Sequence, residues 1–472
     1  MIRRYCIPHN FLNIIFAFAF SLVFTSCLHE ESKELPNFVI IFTDDQGYND
    51  VGCYGSTNIL TPNLDAMAKE GIKFTDFYVA SSVCTPSRAA LLTGCYPQRV
   101  GLPEVVAPNG PKWSESKSNI GLNSKETTIA EMLKSLDYAT ACFGKWHLGH
   151  LPPFLPTRHG FDEYFGLPYS NSMNPDYGPW PDLPLLEGEE VIRYNPDQSQ
   201  LTTLYTDKAI KFIEKNKDNP FFLYLPHTMP HVPLNVSSKY FGKSKRGIYG
   251  DTIMEIDWSV GQILKKLKQL NLDKNTMVIF SSDNGPWLEY GEHGGSAKPL
   301  RGGKMTTFEG GQRVPFIVRW PGIIPSGNVC DQIATTMDLL PTIAFLSGAQ
   351  LPENKIDGKN IWSLLIKPKK SKSPHEAVFF YHGNNLQAIR NGRWKLHFSH
   401  PYFSIIEYGI DGKRGKKEER IQKLALYDLK KDIGEQIDLS EKYPQIVDKL
   451  TKMAEKFDVE LKNNIRPPGV IN

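Results

Sequence analysis

Two hydrophobic patterns alternate along the chain. The first is an uninterrupted apolar run that stops at charged or amide side chains: "NFVIIFTDD" (37–45), "PFFLYLPHTMPH" (220–231) and "NTMVIFSSDNG" (275–285), with the shorter "ATACFGKWHLG" (139–149) alongside. Such runs predict strands buried on both faces. The second is a stripe at helical spacing, in "TPNLDAMAKEG" (61–71), "ETTIAEMLKSLDY" (126–138), "LYTDKAIKFIEKNKDN" (204–219) and "DTIMEIDWSVGQILKKLKQL" (251–270). Thr61 is placed to cap the first of these helices, Pro62 suits its first position and Gly71 its end. Strand and helix in alternation predict an α/β fold: a mostly parallel sheet sandwiched by helices.

In such sheets ligands sit beyond the carboxyl ends of the strands. Here those ends carry Asp44 and Asp45, Lys145 and His147, His227, and Asp283 with Asn284. Asp44, Asp45, Asp283 and Asn284 offer oxygen ligands only, which suit calcium or magnesium. In "GKWHLG" an extended backbone would point Lys145 and His147 the same way. "LRGGKMTTFEGG" (300–311) sets Lys304 in a glycine-rich loop that lets a ligand approach the backbone. Lysines, histidines and a hard cation together point to a sulfate or phosphate ester, with histidine as acid or base. Cys84 opens a further helical segment, "CTPSRAALLTG" (84–94), where a thiolate would be acidified by the helix N-terminus. A soft thiolate fits poorly among hard ligands unless it is converted into an oxygen nucleophile.

Near residue 372 the texture changes. "KPKKSKSPH" (367–375) reads as a connector. "AVFFYH" (377–382) and "LQAIRNGRWKLHF" (386–398) read as antiparallel strands with Asn391–Gly392 as the turn. "YPQIVDKLTKMAEKFDVEL" (443–461) closes the chain as an amphipathic helix, with Ile446, Leu450, Met453, Phe457 and Leu461 on one face. At the other end, Arg3 and Arg4 precede the apolar run 11–24 and "TSC". This predicts a bacterial lipoprotein-type signal over 1–27 with Cys27 lipidated, an ordinary secretory signal or signal anchor being the alternatives. The expected division is signal 1–27, tether 28–36, catalytic domain 37–371 and C-terminal subdomain 372–472. Localisation follows as periplasmic or anchored to the outer membrane, touching the membrane only through the lipid, with a soluble periplasmic or secreted protein as the alternative.

With 472 residues, 40% hydrophobic, the chain can bury a large core. A net charge of +3 without a basic stripe argues against nucleic acid as partner. Seven cysteines, two of them in the leader, match neither a zinc site nor a disulfide framework.

"CTPSRAALLTG", with "TDDQG" (43–47), "GKWHLG", "SSDNG" (281–285) and "GGKMTTFEGG" (302–311), resembles the formylglycine-dependent type I sulfatases, from about Asn37 into the C-terminal region. The resemblance implies an alkaline-phosphatase-like fold, a mixed, mostly parallel sheet with a smaller antiparallel C-terminal subdomain. It implies one calcium ion held by Asp44, Asp45, Asp283 and Asn284, with Cys84 also reaching it, and Cys84 oxidised to formylglycine by a maturation enzyme. By the same resemblance Arg88 holds the charge of the hydrated aldehyde and Lys145 and Lys304 grip the sulfate. His227 or Lys304 protonates the leaving sugar oxygen, and His147 takes the proton that expels sulfate. Ser170, His231, His293 and Arg301 are candidate substrate contacts. The implied substrate is a sulfated glycan of galactose or N-acetylgalactosamine type, attacked from its end. A formylglycine-dependent phosphonate or phosphate ester hydrolase of the same fold is the alternative.

Overall fold

The apolar runs become neighbours at the centre of a ten-stranded sheet. In a computed structural model, which describes residues 35–471, the strands Thr276–Ser282, Asn37–Thr43, Phe221–Pro226, Ala139–Phe143 and Glu163–Gly166 lie side by side and parallel. Phe316–Arg319 adds antiparallel to the first of them, followed outward by Ile72–Phe74 and Asn328–Cys330. The antiparallel pair Pro184–Glu187 and Glu190–Tyr194 closes the other edge. The expected leader, the lipidation site Cys27 and the tether up to residue 34 lie outside the described residues.

Side-chain alternation divides the core into two layers. Phe38, Ile40 and Phe42 pack with Leu91, Leu133 and Ile343 from the helices Cys84–Thr93, Ile129–Lys134 and Leu339–Ser347. Val39 and Ile41 point the other way, toward Met67, Tyr205 and Ile256 of Pro62–Glu70, Leu201–Lys215 and Gly247–Gln269. All of Asn37–Thr43 is buried, as a strand covered on both faces must be. Thr61 precedes its helix as expected, but its hydroxyl is spent elsewhere: it accepts from the Gly52 N–H at 2.8 Å. At Thr128 the side chain does cap, in a reciprocal capping box with Glu131.

The C-terminal region folds as a four-stranded antiparallel sheet, Val378–His382, Asn385–Asn391, Trp394–His397 and Ala425–Asp428. Its hairpin turns one residue later than expected. Asn391 pairs with Trp394, so the turn is Gly392–Arg393, with Gly392 at φ 55°. The helix Pro444–Lys462 lays Leu450 and Ala454 on this sheet and stacks Phe457 on Phe379. A separate hairpin, His400–Glu407 with Lys416–Gln422, reaches out from it.

A buried charge network joins the sheet to the loop carrying Lys304. Lys395 Nζ donates to Thr307 O (2.8 Å) and Glu309 Oε1 (2.9 Å) and pairs with Glu435 Oε1 (3.1 Å). Glu435 also holds His397 Nε2 and the Glu309 N–H. Burial alone would raise the carboxyl pKa of Glu309. Lys395, Arg390 and Arg313 overcome it and hold the group well below the usual carboxylate range.

Candidate active site

The carboxyl ends of three central strands meet at one point. Asp44 and Asp45 follow Thr43, Asp283 and Asn284 follow Ser282, and the segment after Phe143 brings Lys145 across. Asp44 is fully buried and pairs with Lys145 Nζ and, at 3.5 Å, with Arg88 Nη2. Asp45 Oδ1 lies 2.7 Å from Lys304 Nζ and accepts from Asn284 Nδ2, also at 2.7 Å. Arg88 donates Nε and Nη2 to Asp283 Oδ2 (3.1 and 2.8 Å) and Nη1 to Lys145 O (2.7 Å). Burial and the neighbouring Asp44 carboxylate push Asp283 up to about 7, against the pull of Arg88.

The donor set fits a hard cation. Asp44 Oδ1 and Asn284 Oδ1 are buried with no hydrogen-bond partner among the described residues, which is costly for acceptors unless another group uses them. Ligand atoms of Asp44, Asp45 and His231 also lie within 4.8 Å of one another. Oxygen from aspartates and an amide at the ends of two adjacent parallel strands suits calcium better than a soft metal.

Cys84 is the first residue of its helix and only 3% exposed. Burial pushes its thiol pKa up despite Lys145 and Lys304, so the helix terminus does not yield the acidified thiolate expected of an unmodified cysteine. Arg88 sits one turn on, as expected, and is wholly buried among the carboxylates.

Lys145 and His147 reach the site by a bent backbone, not an extended one. The strand stops at Phe143, Gly144 has φ 138° and His147 φ 63°. Adding a Cβ at Gly144 would bring it to 1.9 Å from Pro226 O, so only glycine fits here. His147 Nε2 lies 3.0 Å from Val106 O. A carbonyl can only accept, so this nitrogen carries the proton and Nδ1 is left bare, with no partner among the described residues. Burial, then Lys145 and Arg88, hold the ring pKa well below its ordinary value.

The two histidines of "LPHTMPH" separate. His231 places Nε2 3.6 Å from Asp45 Oδ2, and its Nδ1 donates to Val232 O. His227 faces away: its Nε2 bonds Ser259 Oγ at 3.2 Å, and burial alone lowers its pKa, to about 3, with no charge of the cluster bearing on it. Against the expectation for His227, it is His231 that lines the cavity beside the acidic cluster. The pattern did not distinguish them, because the strand ends at Pro226 and the turns through Pro230 and Pro233 break its alternation.

A cavity of about 790 Å³ opens above the cluster, with Lys304, His231, Val83 and Met305 toward the cluster and Ser170 on its wall. Aromatic rings surround it: Trp113 against Trp180, and Trp287 against Tyr290, with Tyr177 between. Arg301 and His293 do not line it. Arg301 lies over Phe308 (3.8 Å) and donates to Glu435 O at 3.1 Å, tying its loop to the C-terminal sheet. His293 packs beside Gly412. Reading the sequence missed the tryptophans and Arg414, which come from four separate loops. Trp287, three residues past Asn284, was the one within reach of a motif.

The family model described as Sulfatase matches residues 36–349, and that for the C-terminal region of aryl-sulfatase matches residues 373–466. N-acetylgalactosamine-6-sulfatase of Sus scrofa is 38% identical over 442 residues, covering 89% of this chain and 84% of that protein. Arylsulfatase A of Homo sapiens is 39% identical over 433 residues, covering 86% and 83%. The crystal structure of the PsFucS1 sulfatase from Pseudoalteromonas sp. superposes with a TM-score of 0.83 at 27% identity, covering 93% of each chain.

Proposed function

This chain belongs to the sulfatase family and is a sulfuric ester hydrolase, and we propose that it removes sulfate from the ends of galactose- or N-acetylgalactosamine-type glycans, using formylglycine at Cys84 and calcium at the acidic cluster. The observation that carries this reading is the convergence of Asp44, Asp45, Asp283, Asn284, Lys145, Lys304 and His231 beside Cys84, with a carboxylate oxygen of Asp44 and the amide oxygen of Asn284 buried and unpartnered among the described residues. The sugar class rests on similarity to the N-acetylgalactosamine-6-sulfatase and on the ring-lined cavity.

Calcium would be held by Asp44, Asp45, Asp283 and Asn284 and would supply positive charge against the ester oxygens and the nucleophile. Formylglycine, made by a maturation enzyme, would supply an oxygen nucleophile at the first turn of the Cys84–Thr93 helix. The remaining work falls to the chain itself. Lys145 and Lys304 neutralise charge on the sulfate oxygens in a site that excludes water. Arg88, one turn past Cys84, is oriented by its two bonds to Asp283 and places positive charge to hold the nucleophile. Lys304, charged and facing the cavity, is the proton donor to the leaving sugar oxygen, and His231, whose Nδ1 donates to Val232 O, turns a bare Nε2 to the substrate as an acceptor. His147 Nδ1, bare and buried, is the acceptor for a proton at the Cys84 position. The leader fits an exported protein lipidated at Cys27, which mass spectrometry of the mature N-terminus tests.

The experiment is sulfate and phosphate release, by ion chromatography, from 2-, 3-, 4- and 6-sulfated galactose and N-acetylgalactosamine and matched phosphate and phosphonate esters. The enzyme is co-expressed with a maturation enzyme and Cys84→Ala is the control. Sulfate release from one positional isomer supports the reading. Phosphate or phosphonate release without sulfate release, or equal release by Cys84→Ala, overturns it.

A further inference from the structure

We propose that Arg414, with Trp287 and Tyr290, forms a second anion-binding subsite at the mouth of the cavity, taking a further oxyanion of the glycan: a uronate carboxylate or a second sulfate. The inference rests on the sulfate-ester reading above and extends it to the group next to the scissile ester.

Arg414 belongs to the loop between the strands His400–Glu407 and Lys416–Gln422, far in sequence from every cluster residue. The loop is pinned by its backbone. Gly409 and Gly415 N–H both donate to Glu289 O, at 3.0 and 2.9 Å, and Asp411 N–H donates to Glu292 Oε1 at 3.0 Å. The side chain is then aimed twice. Its Cζ lies 4.8 Å from the Trp287 ring centre, and Nε donates to Tyr290 Oη at 2.9 Å. Stacking plus one hydrogen bond fixes the plane of a guanidinium and leaves its fork for a planar or tetrahedral oxyanion.

That fork is uncommitted. Three cations line the cavity. Lys304 is paired with Asp45 and Lys117 with Glu104. Arg414 makes no ion pair among the described residues, and neither of its terminal nitrogens has a hydrogen-bond partner there. Arg414 is exposed at the mouth of the cavity, so its free fork is solvated and can take a ligand without breaking an existing pair. Lys304 Nζ lies 4.3 Å from the centre of the same Trp287 ring, so the two cations flank one indole. A sulfate ester held at Lys304 thus leaves the rest of the sugar beside Trp287, within reach of Arg414. The subsite selects glycans with a second negative charge near the scissile sulfate, on the same sugar or on the adjoining one.

The test uses three ligands: N-acetylgalactosamine sulfate alone, the same sugar linked to a hexuronate, and the same sugar with two sulfates. Binding is measured calorimetrically on the Cys84→Ala protein, with and without Arg414→Ala or Arg414→Lys. Kinetics follow on the matured enzyme. Arg414→Ala is expected to weaken at least one doubly anionic ligand about ten- to a hundredfold, the worth of a charge-assisted hydrogen bond. That loss should exceed the loss for the singly sulfated sugar at least tenfold, with Arg414→Lys recovering part of it. The arm that responds tells carboxylate from sulfate. Equal weakening of all three ligands, or no weakening of either doubly anionic one, overturns the proposal. Selective weakening in the binding experiment with no sulfate released by matured enzyme would leave the subsite standing and remove the sulfatase reading instead.

Discussion

Lys395→Met tests whether the charge network joining the C-terminal sheet to the Lys304 loop stabilises the fold. Lys395 Nζ is fully buried and serves three acceptors: Thr307 O, Glu309 Oε1 and Glu435 Oε1. Methionine keeps the volume and removes the charge. Glu309 would retain Arg313 at 3.0 Å and the Tyr78 hydroxyl, and Glu435 would retain His397 at 2.9 Å. Breaking a buried pair by deleting one partner costs about 3–5 kcal/mol. The remaining partners put this case at the lower end, about 3 kcal/mol. The pH dependence gives a second check. In the native protein burial would raise Glu435, but Lys395 and then His397 hold its pKa below the ordinary value. A depressed carboxylate contributes stability above its unfolded pKa and loses it as pH falls through the folded one. Without Lys395 burial prevails, the folded pKa rises above the unfolded value, and protonation then favours the folded state. The deficit of the variant should therefore be largest at about pH 8 and shrink at about pH 5.5. Urea unfolding followed by tryptophan fluorescence at both values measures it. A loss below about 1 kcal/mol at the higher pH, or a deficit that grows on acidification, refutes the reasoning. Lys395→Met with Glu435→Gln should recover much of the loss, since the second change removes the stranded charge.

Cys84→Ala should fold normally and lower sulfate release roughly a thousandfold or more, and the wild-type Cys84 peptide should show the mass of an aldehyde in place of a thiol after maturation. Asp44→Ala and Asp283→Ala should each reduce bound calcium, counted by atomic emission on dialysed protein, from about one per chain to a small fraction. They should also abolish the thermal shift that calcium gives the wild type, which corresponds to about 2.7 kcal/mol at a hundredfold excess over Kd. His231→Ala should lower kcat about a hundredfold with little change in melting temperature. His227→Ala should cost stability first, through the lost bond to Ser259, and the reverse ranking of the two variants would make His227 the histidine that serves the substrate.

The strands were legible because burial on both faces leaves an unbroken apolar run, and that signal needs no partner to be read. For the same reason their ends were legible: a carboxylate directly after seven buried residues, as at Asp44, can only stand at the rim of the sheet. Legibility failed where the chain stops being periodic. Between Pro226 and Pro233 no repeat says which histidine faces the cluster, so His227 and His231 could be ordered only by the folded backbone. Arg301 illustrates a different failure. Its glycine-rich setting suggests a ligand loop, but the charge lies over Phe308 of its own loop and donates to Glu435 O, and Glu435 acquires that role only after the C-terminal region docks. Arg414 is the converse: an ordinary basic residue in "GKRGKK" (412–417) that tertiary structure sets against Trp287. Catalytic groups ride on the sheet and are fixed by its register. The groups that select a substrate ride on loops from both ends of the chain, and their position is set by the docking of one part of the fold on another. If that account is right, weakening the Lys395 network should change discrimination among sulfated sugars before it abolishes turnover, because it loosens Thr307 and the C-terminal hairpin while leaving the Asp44–Asp283 floor in register.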